Sequence, residues 1–125
     1  TADIIITTTP ATLPLFADGL VRKGTHVTAI GADCPGKQEL PSGLVTSAAV
    51  RVCDLAHQSL NHGEFQSAYR KDASLKVTEL GHVLSGAQPG RTSDEDITIA
   101  DLTGIAAQDI AITQAIIDAA DSAKI

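Results

Sequence analysis

The sequence predicts an α/β domain whose sheet is largely parallel and flanked by helices. Short β-branched runs alternate along the chain with stretches of helix-forming residues, the pattern of strands joined through crossovers. No two of those runs are linked by the two-residue turn of a hairpin. Aromatic residues are nearly absent, with Phe16, Phe65 and Tyr69 the only three in 125 residues. The core must therefore come from Ile, Val, Leu and Ala, which suits buried parallel strands covered by helices.

The elements follow in order. The opening segment from Thr1 carries Ile4-Ile5-Ile6-Thr7-Thr8-Thr9, a β-branched run stopped by Pro10, and reads as a buried strand. Pro10 to Pro14 is loop, Leu15 to Val21 is placed in one or two helical turns, and Lys23-Gly24 is a turn. His26 to Ile30 is a second strand, ending in the loop Gly31-Ala32-Asp33-Cys34-Pro35-Gly36-Lys37. A short helix covers Gly43 to Ala48, and Val50 to Leu55 alternates as a third strand. His57 to Arg70 is helix-forming but is interrupted at Asn61-His62-Gly63. Leu75 to Leu84 combines a short extended piece with a helix that stops at Gly86. A polar loop from Gln88 to Asp96 then leads to a fourth strand, Ile97 to Leu102. A long C-terminal helix begins near Gly104, with Ile105, Ile112, Ile116 and Ala119 at helical spacing and Asp101 or Thr103 placed to cap it.

Composition excludes several functions. A net charge of −6, with no basic stripe and no set of stacking aromatics, argues against nucleic acid. No apolar run approaches the ~20 residues needed to cross a bilayer, so no membrane partner is expected. Cys34 and Cys53 form no C-x-x-C pair, and reduced thiols point to a cytoplasmic protein. His57 and His62 are five apart, on different sides of a helix, and no metal site is expected.

In an open α/β sheet, ligands bind beyond the C-terminal ends of the strands. Three loops leave such ends: Thr7 to Pro14, Gly31 to Lys37 and Asp101 to Gly104. The second is the most informative, because its two glycines and proline display Asp33 and Lys37 close together on a tight backbone. Such an Asp can take or give a proton while the Lys holds it ionised or meets an anion. The plain alternative is an Asp that caps backbone amides beside a solvated Lys. Cys34 is a candidate thiol, but the adjacent carboxylate discourages that role.

The blocks ADIIITTTP, GTHVTAIGADCPGKQEL, Gly63-Glu64, ELGHVLSG, PGRTSDEDITIADLTG and AAQD resemble, in order and over about residues 2 to 120, consecutive blocks of the ornithine cyclodeaminase/mu-crystallin family. The resemblance implies a partial Rossmann-like domain spanning residues 1–125, the C-terminal portion of a dinucleotide-binding domain. It implies NAD or NADP as cofactor and a small amino acid or cyclic imine as substrate. The parent would be an amino-acid cyclodeaminase, imine reductase or amino-acid dehydrogenase. A non-catalytic cofactor-binding relative, or a chain inert by itself, is the alternative. Residue by residue, Asp33 takes the place of the general acid/base and Lys37 that of a lysine near the cofactor. Thr9 matches a strand-end contact to the dinucleotide, and Ala29, Ile30 and Gly31 match backbone along the nicotinamide. Leu102 stands where the family often has Ser, leaving a backbone contact to the cofactor, and Thr103 borders the substrate.

A Gly-rich turn for the pyrophosphate is missing: the ten glycines include no G-x-G pair. The chain also lacks Met and begins directly with Thr-Ala-Asp. The resemblance implies a truncated protein, with the Gly-rich turn, the ribose carboxylate and a substrate-binding, dimer-forming domain expected upstream of Thr1. The first strand would then lie at an open edge, and the chain would self-associate through Ile4 to Thr8.

Overall fold

The computed structural model describes residues 2–123. The domain bounds at Thr1 and Ile125, and the start of the opening segment, lie outside them. The described residues form five strands and five helices. These are β1 (Ile4–Thr7), β2 (His26–Ala29), α1 (Ser42–Ser47), β3 (Val50–Cys53), α2 (Ala56–Asn61), α3 (Gln66–Lys71), β4 (Thr78–Glu79), α4 (Leu80–Leu84), β5 (Thr98–Asp101) and α5 (Ala106–Ala123). All strand pairings are parallel, in the order β1-β2-β5-β3-β4. The predicted α/β class with a parallel sheet holds, and the extended piece before α4 is a fifth strand at the sheet's far edge.

The β-branched runs become strands because residue-by-residue alternation delivers one apolar set to each face. Val27, Ala29, Cys53 and Ile99 join Leu40, Leu44, Val45, Ala48, Phe65 and Ala68 in one core beneath α1 and α3. Phe65 is wholly buried and is the largest side chain of this core. Burying it fully is worth about 2–3 kcal/mol in transfer free energy. The opposite face carries Ile4, Ile6, His26, Thr28, Val50, Val52, Thr98 and Ala100. Ile4 and Ile6 are each 63% exposed.

The short helices have no side-chain caps of their own and borrow distant carboxylates instead. Asp18 Oδ1 accepts the Leu44 N–H at 3.0 Å at the start of α1, and Glu79 Oε1 accepts the Ala56 N–H at 2.9 Å at the start of α2. At the other end of α1, Arg51 donates through Nη1 to the carbonyls of Val45, Thr46 and Ala48, and through Nε to that of Lys76. Acids at helix N-termini and a guanidinium at a C-terminus suit the helix dipole.

Two expectations need correction. Leu15 to Val21 is not helical: the Leu15 N–H donates to Glu39 O at 2.8 Å, and Asp18 is spent on α1. That segment is tied to residues 38–44 instead of to its own turns. Neither Asp101 nor Thr103 caps α5. Asp101 is buried at the end of β5 and the Thr103 hydroxyl donates to Asp54, while Gln108 Oε1 reaches back to the Ile105 N–H at 3.3 Å. Gly104, at φ +86°, makes the left-handed turn into the helix. The helix α5 begins at the predicted point, and its isoleucines do not face the core. None of its residues is buried, and Ile110, Ile112, Ile116 and Ile117 are exposed.

Candidate active site

Because β1, β2 and β5 are adjacent and parallel, their C-terminal ends open on the same edge of the sheet. The three loops singled out from the sequence therefore meet there. Thr9 follows β1, Ile30 to Lys37 follow β2, and Leu102 to Gly104 follow β5.

In the β2 loop, Lys37 Nζ donates to Asp33 Oδ1 at 2.6 Å, one helical turn apart in sequence. The Lys37 hydrogen bond, followed by one from the Cys34 thiol, holds the Asp33 carboxyl below its ordinary 3.8, and Asp33 in turn raises Lys37. Both groups are charged at neutral pH. Asp33 is exposed, with 52% of its side chain open to solvent, so its carboxylate faces outward. Gln66 secures the loop from beneath, accepting the Gly36 N–H at 2.9 Å and donating to the carbonyls of Cys34 and Lys37.

Below the loop lies a set of buried carboxylates that the sequence did not mark as functional. Glu39 takes four hydrogen bonds: from the Thr7 hydroxyl (2.6 Å), the Thr9 N–H (2.5 Å), the Thr9 hydroxyl (2.8 Å) and the Gly31 N–H (3.0 Å). Burial opposes its charge, but those donors outweigh burial and hold its carboxyl below the ordinary 4.5. Glu64 accepts the N–H groups of Glu39 and Leu40, and burial pushes its carboxyl up to about 8. Asp101 accepts from the Ser59 hydroxyl and the Phe65 N–H, its Oδ1 has no partner among the described residues, and burial raises it to about 6. Glu39 and Glu64 sit in the conspicuous blocks KQEL and GE. Their place in those blocks is the one sequence signal that points to them, since their burial shows only in the fold.

The remaining candidates divide. Ile30 is 44% exposed and gives the edge an apolar surface. Ala29 is wholly buried, its carbonyl takes the Leu102 N–H at 3.0 Å, and the Ile30 N–H is given to Thr7 O at 2.9 Å. The Thr9 hydroxyl turns inward to Glu39, so its outward surface is backbone and methyl. Leu102 lies partly in a cleft of about 450 Å³ on the open sheet face, with Thr28, Ala100 and Arg91. The Thr103 hydroxyl donates to Asp54 Oδ1 at 3.0 Å, and Asp54 Oδ2 also takes the Gly104 N–H at 2.6 Å. Asp54, at the end of β3, thus fixes the β5 loop as Glu39 fixes the other two. The four histidines do not converge. His26 pairs with Thr98 and Thr28 on the open face, and burial, then the Arg91 charge, lowers it. Among the described residues no group of three or more His, Cys, Asp or Glu side chains is arranged to hold a metal ion.

Residues 1–124 match the model of the ornithine cyclodeaminase/mu-crystallin family. The chain belongs to this family. Alanine dehydrogenase of Archaeoglobus fulgidus is 40% identical over 127 residues, covering 98% of this chain and 39% of that protein. Among solved structures, an archaeal alanine dehydrogenase dimer with bound NAD superposes with a TM-score of 0.89 at 39% identity, over 98% of this chain and 39% of that one. The iminosuccinate reductase of Paracoccus denitrificans in complex with NAD+ gives 0.88 at 39% identity, over 98% and 38%. The chain thus spans about two-fifths of the length of the family members it matches.

Proposed function

We propose that these 125 residues are the C-terminal portion of a dinucleotide-binding domain and form the nicotinamide side of an NAD(P)-dependent site acting on a small amino acid or its imine. The observation that carries this reading is the Asp33–Lys37 pair, at 2.6 Å, on the shared open edge of three adjacent parallel strands. Ligands of open α/β sheets bind at that edge. Alanine dehydrogenase and iminosuccinate reductase, both resolved with NAD, act on substrates of the class proposed.

The residues fit one end of the cofactor. Exposed Ile30 offers an apolar seat at the end of β2, in the same loop as Asp33 and Lys37, which suits a flat ring with a polar rim. Nothing here suits the pyrophosphate, since no G-x-G turn is present, so residues outside this chain would grip that end. NAD(P), when bound, accepts or supplies a hydride at the substrate's α-carbon. Asp33 would then manage the proton that accompanies it, as an ionised carboxylate ready to accept one from the substrate amine or an attacking group. Lys37 would keep it charged until the transfer. Whether the product is a keto acid, a reduced imine or a ring-closed amino acid depends on substrate groups held outside these residues. Two free thiols and the dimeric archaeal relative support a cytoplasmic homodimer for the whole protein. No described helix is long and apolar enough to cross a membrane.

The test is Asp33→Asn in the protein of the relatives' length that contains this chain. Turnover of imines, or of keto acids plus ammonia, should fall by about 100-fold or more. NADH binding, followed by its fluorescence, should persist. Near-normal turnover in the variant would remove Asp33 from the chemistry. NADH binding by the unmutated protein without turnover of any imine or amino acid would favour a binding role instead.

A further inference from the structure

We propose that Glu39 is the positioning residue of this site: its buried carboxylate ties the end of β1 to the end of β2 and so sets where Thr9, Gly31 and the Asp33 loop stand relative to a bound nicotinamide. This rests on the functional reading above. The β1–β2 ladder stops at Thr7 opposite Ala29, closed by the Ile30 N–H on Thr7 O, and among the described residues no backbone hydrogen bond joins Thr9 to Gly31. Glu39 takes over at that point. Its Oε1 holds only the β1 loop, through the Thr9 N–H and hydroxyl, while its Oε2 bridges Thr7 of β1 and Gly31 after β2.

Two further features show a built arrangement. A Cβ at Gly31 would overlap the Thr9 carbonyl oxygen and come within 2.6 Å of the Glu39 carboxylate, so the bridge closes only over glycine. Glu39 is itself seated, since its N–H donates to Glu64 Oε2 at 2.9 Å and its neighbour Leu40 donates to Oε1 at 2.7 Å. An apolar residue in its place would leave the Thr9 and Gly31 N–H groups without this acceptor, so what the carboxylate contributes is set by the groups it holds. Its advantage is direction: it fixes two backbone N–H groups on separate strands. Asp33 lies two residues beyond one of them. Small displacements of such a frame cost turnover steeply, about 100-fold per ångström.

Glu39→Gln keeps shape but turns one acceptor oxygen into a donor, leaving either the Gly31 or the Thr9 N–H without an acceptor. In the protein of full family length, kcat at saturating substrate and NADH should fall by about 10- to 100-fold. Substrate KM should change less than about threefold, with kcat counted per NADH-binding site titrated by fluorescence, because loss of folded protein also lowers apparent kcat at constant KM. Glu39→Asp keeps the charge but shortens the reach, and it should not restore kcat. Thr7→Val removes one of the four donors and should lower kcat only a few-fold. Wild-type kcat in Glu39→Gln, or full kcat in Glu39→Asp, would overturn the proposal. Should Glu39→Gln fail to fold, the Thr7→Val and Glu39→Asp results decide. A separate measurement needs no activity. In 15N-labelled chain 1–125, the Thr9 and Gly31 amide shifts should move together through one acid titration below pH 4.5, the ordinary carboxyl value. Independent behaviour of the two amides would sink the clamp, whereas absence of NADH-dependent turnover in the unmutated protein would sink only the functional reading.

Discussion

Glu64→Gln tests whether the buried carboxyl group behind Glu39 governs stability. Glu64 is 1% exposed, and burial raises it from an ordinary 4.5 to about 8. The folded chain therefore retains a proton that the unfolded chain releases between those two values. With the folded state binding more protons, stability is highest below pH 4.5 and falls as pH rises toward 8. The rise in pKa bounds the total effect at about 5 kcal/mol, each tenfold in the ionisation constant being worth about 1.4 kcal/mol. Between pH 6.5 and 8.5 the linkage relation leaves a loss of about 2 kcal/mol. Glu64 dominates that interval. Asp101, raised to about 6, has completed most of its titration below it, and His26, lowered from 6.5, adds only a small rise at its lower end, where the unfolded imidazole sheds its last proton. Cys53, which burial pushes up from 9.0 to about 12, contributes above it. In Glu64→Gln the amide oxygen still reaches the Leu40 N–H, and the titrating proton is gone. Urea unfolding across this interval should show the 2 kcal/mol decline in the unmutated chain and a flat profile in the variant. Parallel profiles would refute the argument, because they would mean that the folded carboxyl ionises near its ordinary value.

Two further perturbations probe the frame. Arg51→Ala strips the guanidinium from four backbone carbonyls, three of them at the end of α1, and should cost about 1–3 kcal/mol in chemical denaturation. A cost under about 0.5 kcal/mol would show that water replaces it. At the sheet edge, β1 pairs with β2 on one side only, and Ile4 and Ile6 are each 63% exposed, so chain 1–125 should self-associate in sedimentation. Ile6→Lys should shift it toward monomer, and a monodisperse monomer without the mutation would refute edge pairing.

What could be read from the sequence follows the range of the interaction concerned. Ile4 to Thr7, His26 to Ala29 and Thr98 to Asp101 were legible because β-branched residues and a terminating Pro or Gly act within a few positions. Asp33 and Lys37 were legible for the same reason, being four apart in one loop. The partners of Asp18 and Asp101 are out of reach of local rules: Asp18 serves an N–H 26 residues away, and Asp101 accepts from a serine 42 residues away. A local rule sees Asp101 before a helix and assigns a cap, whereas burial beside Phe65 decides otherwise. The isoleucines of α5 show the opposite limit, since spacing identifies a helix but says nothing about whether a surface lies beneath it.

The contrast between Asp33 and Glu39 follows from this. Asp33 sits in a short exposed loop beside Lys37, where a group proposed to transfer protons reaches solvent or substrate, and that proximity survives in the sequence. A group that holds such a loop in place must bind backbone from several strands at once. Thr9 and Gly31 lie 30 and 8 residues from Glu39, and Glu64 lies 25 residues beyond it. No sequence period links those positions. The parallel sheet does, because parallel strands bring residues far apart in the chain to one edge. Carboxylates that collect backbone N–H groups just behind such an edge are therefore where positioning residues should be sought in this family, and Asp54, holding Thr103 and Gly104, repeats the arrangement on β5.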